Sequence, residues 1–238
     1  NLATGPDLEE FSENLKKKYN RKYCILTSNG FSALLLSIKA MGWEFLKIGI
    51  PVATTCFSIV NAIKISNNTP VFVDNNLKNS NIDNEMMIKY FKEKKINAVI
   101  SPTHFGNMCN NKILRENNIP FIEDNAQSSM SLLKYKTDAD TFILSFYPTK
   151  NINGIDGGAI LTNSISVYKN ATSIVSYRIQ KSNDSIARYN FSMQNIHAIL
   201  GNESLKLLTK KSKELLTIRQ KYDSSIEKFK NINLIRSD

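Results

Sequence analysis

Short apolar runs alternate with amphipathic segments along most of the chain, and this alternation restricts the possible folds more than any other feature. Apolar runs of about five residues favour buried strands, whereas apolar residues spaced three and four apart favour helices. The first helix carries Leu8, Phe11, Leu15 and Tyr19 on one face. The predicted strands are 22–26, 46–50, 70–73, 96–101, 120–122, 141–146 and 159–162; the later helices are 32–41, 57–65, 84–92, 111–117, 166–174 and about 193–230.

This order predicts an α/β protein with a mostly parallel seven-stranded sheet covered by helices on both faces, because parallel strands need crossover connections. Ligands of such sheets bind beyond the carboxyl ends of the strands. Ser28, Asp124, Ser145 and Lys150 all lie at or just after a predicted strand end. The sequence therefore predicts one polar site at that edge of the sheet.

A lysine just beyond a buried strand predicts that this site contains a nucleophile. Lys150 follows the strand 141–146 and Pro148 and precedes the glycines at 157 and 158, so its amine would be partly desolvated and suited to act as a nucleophile. Asp124 and Gln127 follow the strand 120–122. Pyridoxal 5′-phosphate requires a lysine that binds it covalently and a carboxylate opposite its ring nitrogen. The three residues together favour that cofactor.

Seven segments in order resemble the DegT/StrS family of sugar aminotransferases. They are 2–11 (LATGPDLEEF), 27–34 (TSNGFSAL), 71–83 (VFVDNNLKNSNID), 104–106 (HFG), 123–127 (EDNAQ), 145–151 (SFYPTKN) and 188–190 (RYN). The resemblance implies the large domain of a fold-type-I aminotransferase with pyridoxal phosphate. It also implies transfer of an amino group from glutamate to a nucleotide-linked keto sugar, as in the biosynthesis of surface polysaccharides or glycans.

The resemblance also assigns roles to individual residues. Lys150 would be the catalytic lysine, Asp124 would face the ring nitrogen, and Gln127 would contact the ring oxygen. The phosphate would be held by the turn Ser28–Ser32, which includes Gly30, Phe31 and Ser32, with Ser145 adding a hydroxyl. The family pattern has threonine where this chain has Phe31, so a hydroxyl contact is lost there or moves to Ser32. Helix N-termini favour such anions.

Two further positions follow from the resemblance. Either Phe57 takes the place of the residue that stacks on the cofactor ring, or Cys56 occupies that place without stacking, because an extra residue between 51 and 55 makes the register ambiguous. Asn190 matches an asparagine that reaches the phosphate of a neighbouring subunit, which implies a homodimer with shared sites. His104 is expected to pack near the site.

Composition excludes several other classes. Three cysteines without metal-ligand spacing and only two histidines make a metal site unlikely and favour a reducing cytoplasm. No apolar run reaches the roughly 20 residues of a membrane span, and there is no signal-peptide pattern. The net charge of +10 is compatible with an anionic ligand, and no arginine–aromatic patch favours nucleic acid.

The whole of 1–238 is interpreted as one cofactor-binding large domain with a C-terminal helical segment from about 193. From the resemblance we expect the family's small C-terminal domain, which helps to wall the substrate pocket, to be absent or truncated in the chain. A catalytically inactive scaffold or regulatory homologue that binds the cofactor is therefore the alternative to an enzyme. Lys150 argues against the related dehydratases, which have histidine in its place.

Overall fold

A computed structural model describes residues 1–178, 186–229 and 231–232. The helices are α1 (Pro6–Tyr19), α2 (Gly30–Ala40), α3 (Phe57–Ile65), α4 (Asn84–Lys92), α5 (Lys112–Glu116), α6 (Ile165–Ile174), α7 (Asn195–Lys206) and α8 (Leu208–Ile226). The strands are β1 (Tyr23–Thr27), β2 (Lys47–Pro51), β3 (Thr69–Val73), β4 (Ala98–Pro102), β5 (Phe121–Asp124), β6 (Thr141–Ser145) and β7 (Gly158–Thr162). All seven predicted strands are confirmed to within two residues.

The strands form one sheet in the order β1-β7-β6-β5-β4-β2-β3. Among the strands of the described residues, β7 alone runs opposite to the other six, since it pairs antiparallel with both β1 and β6, while the other observed pairs are parallel. The predicted mostly parallel sheet is therefore confirmed. The carboxyl ends of β1, β4, β5 and β6 meet at one edge, which brings the residues that follow them together.

Helices cover both faces of the sheet, as the periodicity predicts. One face packs Ile100, Ile122 and Ile143 against α2, α3 and α6. The opposite face packs Phe142 and Leu144 against α1 and α7, and Val99 against α4 and α5. Alternate residues of each strand thus point to opposite layers. Complete burial of each large apolar side chain contributes about 1.5–3 kcal/mol.

The C-terminal segment differs from the expectation of one long helical stretch, because it is divided at Leu207 into α7 and α8. Helix α7 packs on α1 and on the sheet, whereas Leu208 is the buried residue of α8. Residue 230, the expected end of the stretch, lies outside the described residues. The assignment of 1–238 to one large domain stays a prediction.

Candidate active site

A cavity of about 360 Å³ opens at the carboxyl edge of the sheet, between β4, β5, β6 and the beginning of α2. Its wall is formed by residues from five segments: Asn29, Gly30, Phe31 and Leu34; Cys56, Ser58 and Ile59; Pro102, Thr103 and His104; Asp124, Ala126 and Gln127; and Ile143, Ser145, Tyr147, Lys150 and Asp156. Two larger depressions, of about 580 and 510 Å³, lie elsewhere and include none of the predicted site residues.

The beginning of α2 provides hydrogen-bond donors to this cavity. The Asn29 side chain caps the helix by accepting a hydrogen bond from the Ser32 backbone N–H at 2.8 Å. Within the described part of the chain, the backbone N–H groups of Gly30 and Phe31 have no hydrogen bond of their own. They lie in the first helical turn, where the helix dipole also favours an anion. An anion at this end of the cavity would satisfy both donors.

Gly30 allows α2 to approach the end of β6 closely. A Cβ atom at position 30 would lie 2.7 Å from the Cβ atom and 2.9 Å from the Oγ atom of Ser145. Such separations are below van der Waals contact, so a larger residue would push the helix away from the strand. The glycine therefore places the free N–H groups of α2 beside the Ser145 hydroxyl, which also lines the cavity.

Asp124 is a buried carboxylate at the end of β5, with 9% of its surface exposed. Its Oδ1 atom accepts a hydrogen bond from the Ala126 backbone N–H at 3.0 Å. Burial raises the pKa of Asp124 above its ordinary value, while the bond from Ala126 and the positive charge of Lys150 act in the opposite direction. A cationic nitrogen in the cavity would relieve the cost of burying this charge.

The side-chain amide of Gln127 has one defined orientation. Its Oε1 atom accepts a hydrogen bond from the Phe105 backbone N–H at 3.0 Å, in the 3₁₀ turn His104–Gly106. Phe105 reaches this position with a left-handed backbone, φ 57°. Because the oxygen is already engaged, the Nε2 group is the one left to donate to a ligand in the cavity.

Lys150 is half-buried and lies in the turn after β6, where its backbone N–H donates to the Tyr147 carbonyl at 2.8 Å. The residues after it are held by α7 and by the beginning of α8. The Ser204 hydroxyl accepts from the Asn153 N–H at 2.9 Å, and the Lys211 ammonium donates to the Asn151 carbonyl at 3.4 Å. The C-terminal helices therefore fix the loop that carries the predicted catalytic lysine.

His104 is more closely connected with the site than its sequence context indicates. The side chain is 2% exposed and lines the cavity, and its Nε2 atom is buried without a hydrogen-bond partner. Burial lowers the pKa of His104, which favours the neutral ring. A neutral, unpartnered ring nitrogen in a cavity wall is available to a ligand.

The cavity brings together seven of the ten predicted site residues: Gly30, Phe31, Cys56, Asp124, Gln127, Ser145 and Lys150. Three others lie outside its wall. The Ser32 hydroxyl is 3.0 Å from the Ser28 hydroxyl, so it is paired inside the turn. Phe57 is 83% exposed and its neighbour Cys56 forms the wall instead. Asn190 is exposed in an extended segment that bridges to Ser176.

Sequence reasoning placed Asn29 inside the predicted phosphate turn without assigning it a role of its own, and it missed Tyr147 and Asp156 as parts of the wall. A signal existed for Asn29, because asparagine directly before an apolar helical stretch is a favoured N-cap. Tyr147 and Asp156 lie in the loops on either side of Lys150, and their positions depend on how those loops fold over the cavity. The described residues contain no helix long and apolar enough to cross a membrane, and no cluster of potential metal ligands.

Comparisons with known proteins agree with this geometry. A family model described as the DegT/DnrJ/EryC1/StrS aminotransferase family matches residues 1–238. Among curated proteins, the chain is 27% identical to 3-oxo-glucose-6-phosphate:glutamate aminotransferase of Bacillus subtilis, over 97% of the chain and 54% of that protein. It is 29% identical to UDP-4-amino-4,6-dideoxy-N-acetyl-beta-L-altrosamine transaminase of Campylobacter jejuni, over 95% of the chain and 64% of that protein.

Among solved structures, the chain resembles DesV of S. venezuelae with a TM-score of 0.90 at 20% identity, covering 100% of the chain and 66% of that structure. This similarity shows the fold. The chain spans between about half and two thirds of the length of the two curated relatives.

Proposed function

The chain belongs to the DegT/DnrJ/EryC1/StrS aminotransferase family, and from this membership we propose that it binds pyridoxal 5′-phosphate and aminates a nucleotide-linked keto sugar. Enzymes of this family depend on that cofactor. The convergence of Asp124, Gln127, Ser145 and Lys150 with the beginning of α2 on one cavity is the observation that carries the proposal. Separate segments of the chain contribute these groups.

The residues of the cavity match the chemical groups of the cofactor at both ends. The free N–H groups of Gly30 and Phe31, with the Ser145 hydroxyl nearby, suit a phosphate dianion. Asp124 is a buried carboxylate whose charge is incompletely compensated, which suits a protonated ring nitrogen. The Nε2 group of Gln127 is free to donate to a ring oxygen. The lining groups therefore complement the phosphate, the ring nitrogen and the ring oxygen of the cofactor in charge and hydrogen-bonding character.

Each residue then has a defined task. The bound cofactor supplies an electron sink for the carbon that exchanges its amino group. Lys150 would hold the cofactor covalently, and its Nζ atom would carry a proton from and to the reacting carbon. Asp124 would stabilise a proton on the ring nitrogen of the cofactor. Gln127 would orient the ring by a hydrogen bond from its Nε2 group, and the unpartnered Nε2 atom of the buried His104 would be available to a bound ligand.

The substrates proposed are glutamate as amino donor and a nucleotide-linked keto sugar as acceptor. Two relatives support this assignment, because one is named as a glutamate aminotransferase acting on an oxo sugar phosphate and the other as a transaminase of a UDP-linked sugar. The net charge of +10 also favours an anionic substrate. The three cysteines are free, which agrees with the proposed cytoplasmic location.

We also propose that a second copy of the chain completes the site. Large apolar side chains in or next to the wall have much of their surface exposed: Phe57, which follows Cys56, is 83%, Phe105, which follows His104, is 73%, and Tyr147 is 55% exposed. Exposed apolar groups concentrated in one area are typical of a protein–protein interface. Asn190 does not reach the cavity of its own chain, so its proposed phosphate contact would be to the partner subunit.

A spectroscopic titration tests the function. Addition of pyridoxal phosphate is expected to give the visible absorbance of the lysine-bound cofactor, and glutamate is expected to convert it to the pyridoxamine form. Lys150→Ala should remove the lysine-dependent absorbance, whereas the control Lys210→Ala, on the exposed part of α8, should not. Absorbance without conversion by glutamate would favour the inactive homologue, and absence of binding would contradict the proposal.

A further inference from the structure

A cluster of buried polar side chains lies in and around the ends of β4 and β5 and reaches the cavity wall at Thr103. We call it the polar cluster; its members are Ser101, Thr103, Asn111, Glu123, Asn125 and Ser128, each at most 1% exposed. Glu123 at its centre is a buried ionisable group for which the proposed chemistry has no direct use. It directly precedes Asp124 in β5, so it can affect the position of that residue.

Glu123 and Asp124 point to opposite faces of β5, because successive residues of a strand alternate. Asp124 faces the cavity, whereas Glu123 faces the side of α5. The Glu123 carboxyl accepts a hydrogen bond from Asn111 Nδ2 at 2.8 Å and one from Asn125 Nδ2 at 3.1 Å. The Thr137 hydroxyl also bonds to it. A carboxyl oxygen can accept from an amide whether or not the group carries its proton.

The bond from Asn125 to Glu123 determines how the Asn125 amide is oriented. With Nδ2 directed to Glu123, the Oδ1 atom accepts hydrogen bonds from the Thr103 hydroxyl at 2.6 Å and from the Ser128 hydroxyl at 2.8 Å. Thr103 in turn donates its backbone N–H to the Asp124 carbonyl at 3.0 Å. The amide of Asn125 thus ties together the end of β4, the end of β5 and the turn that carries Gln127.

We propose that Glu123 is a positioning residue that acts through Asn125 to hold Asp124 and Gln127 in their cofactor-facing orientation. This inference rests on the proposed cofactor-binding function and adds a residue to it that does not touch the cavity.

The energetic cost of Glu123 supports this role. Burial raises the pKa of its carboxyl, so the folded protein opposes its ionisation. An apolar side chain of similar size would be less costly in a site with so little exposure. The carboxyl instead fixes the orientation of two amides, because its acceptor oxygens require the Nδ2 groups of Asn111 and Asn125 to point toward it.

Reversing the direction of the hydrogen bond tests the proposal. Asn125→Asp retains an oxygen for Thr103 and Ser128 but places a second oxygen against Glu123, so the two carboxyls can hydrogen-bond only by sharing a proton. At pH 8, where sharing a proton is least favourable, we expect the Kd for pyridoxal phosphate to rise about tenfold, which is about 1.4 kcal/mol. Adding Glu123→Gln in the same chain supplies an amide that donates to the carboxylate introduced at position 125, so the bond forms in the reverse direction. The double variant should therefore recover a Kd within about twofold of the unmutated protein.

Inorganic phosphate provides the second readout, because its site at the beginning of α2 does not involve the polar cluster. Its inhibition constant against pyridoxal phosphate, corrected for the changed Kd, should stay within about twofold in every variant. Asn163→Asp is the matched control: it adds the same charge at an exposed position, where its oxygen can still accept from the Lys22 N–H. This control should change neither constant.

Failure of the double variant to recover, or an equal loss of phosphate affinity, would overturn the inference. If Asn125→Asp does not fold, the comparison is made between the double variant and Glu123→Gln alone, and the double variant must bind pyridoxal phosphate more tightly. If all variants bind pyridoxal phosphate with the same Kd as the unmutated protein, this inference alone is overturned. If the unmutated protein does not bind pyridoxal phosphate, the proposed function is overturned as well.

Discussion

Substitution of Gly30 by alanine probes the close approach on which the proposed phosphate site depends. The added Cβ atom would lie 2.7 Å from the Cβ atom of Ser145, which is bonded directly to the strand backbone and cannot rotate away. Overpacking of this kind costs about 1–3 kcal/mol. Removing a glycine from a helix returns at most about 1 kcal/mol, and less in the first turn. Subtracting the gain in helix propensity from the cost of overpacking gives an expected net loss of about 1–2 kcal/mol in the free energy of unfolding.

Urea denaturation measures this loss directly. With a slope of about 2–3 kcal/mol per molar urea, the midpoint should fall by roughly half a molar. The affinity for pyridoxal phosphate should fall as well, because relief of the overlap moves the N–H groups of Gly30 and Phe31 away from Ser145. A displacement that costs about 1.4 kcal/mol of binding would raise the Kd tenfold.

The double variant Gly30→Ala with Ser145→Gly separates the overlap from other effects of alanine. It removes the Cβ and Oγ atoms that the new methyl group meets, and it should restore most of the lost stability while still lacking the Ser145 hydroxyl. The two substitutions should therefore be strongly non-additive in stability. A Gly30→Ala protein as stable as the unmutated one, or simple additivity, would refute the close-packing argument.

Three other substitutions test separate parts of the site. Lys150→Ala should abolish transamination and leave the urea midpoint unchanged; borohydride labelling of another lysine in the unmutated protein would contradict the assignment. Asp124→Asn should lower the rate by tenfold to a hundredfold, from about 1.5–3 kcal/mol for a charge-assisted hydrogen bond. Because burial raises the pKa of Asp124, the cofactor-free protein should lose stability as pH rises from about 4 through that raised pKa. Urea denaturation at pH 5 and pH 8 should show this loss in the unmutated protein and not in Asp124→Asn. Identical pH dependence of the two proteins would refute the raised pKa. Asn190→Ala should weaken cofactor binding, and mixing it with Lys150→Ala subunits should partly restore activity if the sites are shared; demonstrated heterodimers without recovery would exclude sharing.

The sequence by itself determines the order of the elements and the edge at which the site forms. Strand and helix periodicities are local properties, and Phe57–Ile65 and Asn84–Lys92 begin and end where the pattern places them. Polar residues after apolar strands, such as Asp124 and Lys150, are also visible in the linear chain. Because parallel strands share one carboxyl edge, these local facts are sufficient to predict that the two residues meet.

Only the tertiary structure decides how the side chains at that edge are used. The Phe105 backbone orients Gln127 from a loop 22 residues earlier, and the Ser28 hydroxyl engages Ser32. The orientation of Phe57 toward solvent, with Cys56 in the wall, follows from how α3 begins after β2. Glu123 has no feature in the sequence that separates it from an exposed glutamate; its partners Asn111 and Thr137 reach it from other segments. Periodicity reports which face of an element is apolar, whereas hydrogen-bond partners between segments depend on distances that exist only after the sheet and its loops have packed.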